Sequence, residues 1–61
     1  MLIECKSYSP GASVYVNADK ILYFGQADRG TRIVLTDKEI LVGDWPEEVA
    51  LKIDMAARRE Q

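Results

Sequence analysis

The stretch SVYVNADKILYF, residues Ser13 to Phe24, decides how the chain is organised. Val14 and Val16 alternate with Tyr15, which puts both valines on one face of a strand, because side chains alternate sides along extended backbone. Asn17-Ala18-Asp19-Lys20 interrupts as a corner, since Asn and Asp side chains bond their own nearby backbone and tolerate left-handed geometry. Ile21-Leu22-Tyr23-Phe24-Gly25 then resumes as a strand that is apolar on both faces. That pattern predicts a central strand or one whose second face meets a partner.

Working outward, Leu2 to Tyr8 reads as a first strand, with Ile3 and Cys5 on one face and Glu4 and Lys6 on the other. Ser9-Pro10-Gly11 is a turn, because proline presets φ and glycine relieves crowding beside it. Downstream, Ala27-Asp28-Arg29-Gly30 is a hairpin loop in which Gly30 is expected at positive φ. Thr31 to Thr36 is a fourth strand, with Ile33 and Leu35 inward and Arg32 and Val34 outward. Asp37-Lys38 is a compact turn, and residues 39 to 43 form a fifth strand with Ile40 and Val42 on one face.

Asp44-Trp45-Pro46-Glu47 then starts a helix over residues 46–59. Asp44 is its expected N-cap, with Glu47 at capping-box spacing, and Pro46 suits a first turn whose N–H groups lack partners anyway. Glu47 and Glu48 match the positive end of the helix dipole, and Arg58 and Arg59 the negative end. Val49, Ala50, Ile53, Ala56 and Ala57 form an apolar stripe, while Leu51 and Met55 lie nearly opposite it. One sheet cannot cover both stripes. The second is either an ordinary exposed pair or a contact surface for another protein or a sister subunit.

The expected fold is α+β: a single domain over residues 1–61, an antiparallel meander of about five strands (2–8, 13–17, 21–26, 31–36, 39–43) closed by one C-terminal amphipathic helix. A chain of 61 residues buries only about 60% of its unfolded surface and needs support. Cys5 is the lone cysteine and histidine is absent, so an intramolecular disulfide and a structural zinc site are both excluded. Oligomerisation is the remaining support, and a homodimer or higher oligomer is expected. A hydrophobic content of 48% fits a folded chain. The net charge of −2, with acids and bases interspersed, argues against strong non-specific nucleic-acid binding. No run approaches a membrane span, and the N-terminus lacks a signal-peptide pattern, so a cytoplasmic location is expected.

From Val14 to about Arg59 the chain resembles the flagellar and swarming-motility family often called FlbD. VYVNADKI is similar to that family's opening strand and asparagine corner, TRIVLTDKEILV to its hairpin, and PEEVALKI to its closing helix. The resemblance implies a small bacterial or phage-encoded, non-enzymatic protein that acts through partners, with no catalytic or cofactor residues to carry over. The chain is more weakly similar to carbon storage regulators of the CsrA family, in its length, its opening MLI and its strands followed by a helix. Those RNA binders carry a basic residue before the helix glutamates, where this chain has Asp44-Trp45-Pro46, and an acid there would repel phosphate. One half of LytTR DNA-binding domains is also faintly similar, without their DNA-reading portion.

No residue set supports catalysis. The usual general base is missing, and Cys5 has no histidine to activate it. No catalytic residue, cofactor or metal site is expected. The leading expectation is a protein-binding regulator or adaptor whose contacts come from Tyr15, Tyr23, Trp45, Leu51 and Met55, residue types enriched in interface cores. Tyr23 has an alternative place beneath the helix, and Trp45 an alternative role packing at the cap. A second class is a nucleic-acid-binding dimer using Lys6, Lys20, Arg29, Arg32, Arg58 and Arg59 on phosphate, with Tyr8 or Tyr15 stacking. A third is an oligomer that holds a small ligand between subunits.

Overall fold

The computed structural model describes residues 1–9 and 11–59, the side chain of Arg59 excepted. Pro10, expected in a turn, and the Arg59 side chain, offered above for phosphate, lie outside the described residues. In chain order the elements are β1 (Leu2–Lys6), β2 (Ser13–Asn17), a 3-10 turn (Ala18–Lys20), β3 (Ile21–Ala27), β4 (Gly30–Leu35), β5 (Glu39–Val42) and α1 (Pro46–Arg59). The result is a small α+β fold with five antiparallel strands and one C-terminal helix.

The strands form two sheets rather than one meander. β1 pairs with β2, and β3, β4 and β5 make a separate sheet in that order. The corner after β2 explains the break. Asn17 Oδ1 accepts the Asp19 N–H at 3.1 Å, and the Met1 carbonyl accepts the Ala18 N–H at 2.8 Å. The Met1 ammonium reaches Asp19 at 2.9 Å. These bonds wind residues 18–20 into a helical turn that carries the chain to a second sheet instead of folding it back on β2. No non-glycine residue described here takes positive φ, so the left-handed option expected at this corner is not used.

The sheets meet at one corner. Ser7 makes a single antiparallel bridge to Val42, and the Gly43 N–H donates to the Lys6 carbonyl at 2.7 Å. The first strand ends at Lys6 and not at Tyr8; Ser7, whose N–H still donates to the Ala12 carbonyl at 3.0 Å, turns to Val42. Alternation then sorts the faces as the sequence predicts. Ile3, Cys5, Val16, Ile33, Val42 and Val49 form the buried core, and Ile53 and Ala56 of α1 pack against it.

Three turn expectations change. Gly30 lies within β4 and is not at positive φ; the positive-φ glycine is Gly11, at 85°. Gly30 is needed for close approach instead, because a Cβ there would stand 2.0 Å from the Val42 carbonyl oxygen. The β3–β4 turn is Asp28-Arg29, and with neither residue at positive φ it is not the type I′ form. The β4–β5 turn begins at Thr36, one residue earlier than expected, and is closed by the Leu35 N–H donating to the Lys38 carbonyl at 2.7 Å. In β3, a register irregularity between Ile21 and Tyr23 makes Leu22 an extra residue. Such a bulge lets two successive apolar side chains, Leu22 and Tyr23, both face solvent.

Candidate protein-binding surfaces

The helix is fixed by a buried polar knot. Asp44, expected as the N-cap, is fully buried and lies just before the cap. Its Oδ1 accepts the Lys6 N–H at 2.7 Å, its Oδ2 pairs with the Lys52 ammonium, and its carbonyl accepts the Thr31 hydroxyl at 2.7 Å. Lys52 also donates to the Glu4 carbonyl at 2.7 Å. Asp44 thus ties β1 and α1 together through its carboxylate and β4 through its backbone carbonyl. Among the described residues, no buried side-chain nitrogen or oxygen is left without a partner. Capping falls to the next residues: the Trp45 carbonyl accepts the Val49 N–H at 3.0 Å, and the Glu48 carboxylate accepts the Trp45 N–H at 3.1 Å. Glu48, not Glu47, is therefore the capping-box acid, because the cap sits at Trp45.

Burial alone would raise the Asp44 carboxyl, but the hydrogen bonds from Lys52 and the Lys6 N–H, with the ammonium charge, hold it below the ordinary carboxylate value. Burial would lower the Lys52 ammonium, and its bond to and attraction by Asp44 outweigh that and raise it. Cys5 is fully buried; burial first, then the Asp44 charge, pushes its thiol up and disfavours the reactive thiolate.

With the knot set, α1 presents Val49, Ile53 and Ala56 to the sheets, and its opposite arc meets solvent. Leu51 is 58% exposed and Met55 48%. Ala50, expected on the inner stripe, is exposed as well, since it sits at the border of that arc. Met55 shares a hollow of ≈ 450 Å³ with Leu2, Ile3 and Ala56, between the helix and β1.

The outer face of the three-stranded sheet carries a second apolar surface. Tyr23 is 66% exposed and stands opposite Val34, not beneath the helix. Leu41 pairs with Arg32 on the same face. Tyr15, 68% exposed, projects from β2 opposite Glu4 and lines a hollow of ≈ 540 Å³ with Leu41, Ile40 and Leu35, between the sheets. Trp45 is exposed at the helix cap. The five expected contact residues therefore lie on the surface, but on three elements and the cap rather than in one patch.

The basic candidates are spread over β1 (Lys6), the 3-10 turn (Lys20), the β3–β4 turn (Arg29), β4 (Arg32) and α1 (Arg58). Arg29 stacks over the Tyr8 ring, 5.9 Å from its centre, and its N–H donates to the Tyr8 hydroxyl at 3.0 Å. Arg58 pairs with Asp54 at 3.1 Å. Lys52 escaped the sequence reading; its signal was a lone cation on the inner arc of an apolar helix. Leu22 and Leu41 were also missed, because outward positions of short strands look alike until neighbours are known.

Among the described residues no cluster of His, Cys, Asp and Glu could hold a metal ion, and no helix is long and apolar enough to cross a membrane. The fold and surfaces define a small α+β protein with apolar outer faces on both a sheet and its helix. No family model, no curated protein and no solved structure matches the chain.

Proposed function

We propose that this protein is a small non-catalytic regulator or adaptor of the cytoplasm that works by binding proteins, itself included. The observation that supports this most is the balance of apolar side chains. Among the described residues eight large ones are exposed (Leu2, Tyr15, Leu22, Tyr23, Leu41, Trp45, Leu51 and Met55), against six fully buried core residues with partly buried neighbours packed on them. Scattered exposure is normal on a small protein, but here Tyr23 and Leu41 share one face of the three-stranded sheet, Leu51 and Met55 share one arc of the helix, and tyrosine, tryptophan and methionine are typical of interface cores. The FlbD resemblance implies the same class of function.

The test is the native mass of protein purified gently from cells. Protein mass beyond one chain, from a second copy or a partner, supports the reading. Excess mass from nucleic acid, lost steeply with salt, would favour the nucleic-acid dimer, and excess mass from a small molecule the ligand-binding oligomer. A strict monomer carrying nothing would contradict the proposal.

A further inference from the structure

We propose that the partner of the α1 outer arc is the same arc of a second copy, packed antiparallel about a two-fold axis near residue 53. This rests on the protein-binding reading and gives that surface an occupant.

The argument is self-complementarity. At 100° per residue, Glu47, Leu51, Met55 and Arg58 fall within about 80° of arc, and all four are exposed. An isologous interface requires that if residue i meets residue j, then j meets i. The pairs 47/58 and 51/55 have midpoints only half a residue apart, which is less than about 1 Å along a helix axis. One two-fold axis therefore satisfies both. It sets Leu51 against the partner's Met55 at the centre and Glu47 against the partner's Arg58 at each end. A parallel pairing would oppose like charges, and antiparallel packing also opposes the two helix dipoles favourably. Asp54 flanks the stripe and pairs with Arg58 of the same helix at 3.1 Å, so in the dimer each guanidinium, with several N–H donors, bridges its own Asp54 and the partner's Glu47. Leu2 continues the apolar surface beyond Met55 through the hollow they share, so the buried area extends past the helix pair.

The test exploits the end charges. Glu47→Arg alone places two arginines together at each end of the pair, and Arg58→Glu alone places two glutamates together. Each single variant should dimerise about tenfold more weakly than the wild type in sedimentation equilibrium, since two exposed pairs are lost and two repulsions gained. An equimolar mixture of the two variants should recover wild-type affinity as a heterodimer, because every end contact is again opposite in charge. Circular dichroism would verify that both variants keep their helix. A wild-type dimer that ignores both reversals would overturn the helix pairing and leave the protein-binding reading standing. Equal weakening in the mixture would also overturn it. A wild type that stays monomeric while carrying a different protein overturns the pairing alone, whereas a monomer carrying nothing overturns both.

Discussion

On its inner arc, α1 sets Val49, Ile53 and Ala56 against the sheets, with Lys52 locked to a buried Asp44 among them. On its outer arc, Leu51 and Met55 repeat the same kind of apolar spacing and stay about half exposed, with Met55 at the edge of the hollow beside β1. The inner arc is finished by its own chain, down to the last buried polar atom among the described residues. The outer arc is chemically similar and unfinished. A helix of a marginal domain thus divides its apolar residues between holding the fold and facing outward, and changes on the two arcs should separate stability from the association proposed for the outer one.

The largest effect belongs to the inner arc. Asp44→Ala leaves the Lys6 N–H and the part-exposed Lys52 ammonium without their carboxylate, and losing hydrogen bonds to a charged group costs about 2–3 kcal/mol. Such a loss is a large fraction of the stability of a chain this small, so urea unfolding followed by circular dichroism should show a clearly lowered midpoint. A variant with wild-type urea midpoint would show that the knot is not what fixes the helix.

Gly30→Ala should come next. Its new methyl meets the Val42 carbonyl oxygen, a backbone atom that cannot swing aside. The expected cost is about 1–3 kcal/mol, read as a lower urea midpoint with an unchanged slope.

Acid and base act on the same knot more gradually. The Asp44 carboxyl is lowered in the folded state, so its contribution is complete above its unfolded value, about 3.9, and is lost as pH falls through the folded one. Lys52 is raised, so its contribution is complete below about 10.4 and is lost as pH climbs through the folded value. Stability from this pair should be flat between those limits and fall outside them, by at most about 1.4 kcal/mol per pH unit for each group. Urea titrations across pH check this, and an acid limb that survives in Asp44→Asn would assign it to other carboxylates.

These expectations also mark what the sequence could show. The alternation in LIECK and SVYVN gave away which side chains are buried, because a two-residue period fixes faces directly. The helix was legible to both ends, since Pro46 admits only the first turn and the apolar spacing is continuous. Alternation does not say which strand is whose neighbour, so the split into two sheets stayed hidden. At that split the Ala18 N–H bonds the Met1 carbonyl, one pair beyond Leu2–Asn17. The bulge at Leu22 was masked by the unbroken apolar run ILYF. Asp44 looked like a cap because caps and buried acids use the same residue, and only the return of β1 to the helix start distinguishes them. Of the candidate surfaces, Leu51 and Met55 were readable as a pair, while the Tyr23–Val34 neighbourhood required the register.

The smallest effect on the fold, and the most direct test of the two-arc account, comes from Leu51→Glu with Met55→Glu. The measurement is the thermal midpoint as a function of protein concentration, wild type beside the double variant. Binding of a second copy stabilises the folded state by mass action. The wild-type midpoint should therefore rise with concentration, and the variant's should not. At the lowest concentration the two should agree within about 0.5 kcal/mol, as surface substitutions do. A wild-type midpoint that ignores concentration would contradict self-pairing through the outer arc, and a variant strongly destabilised at every concentration would return that arc to the fold of a single chain.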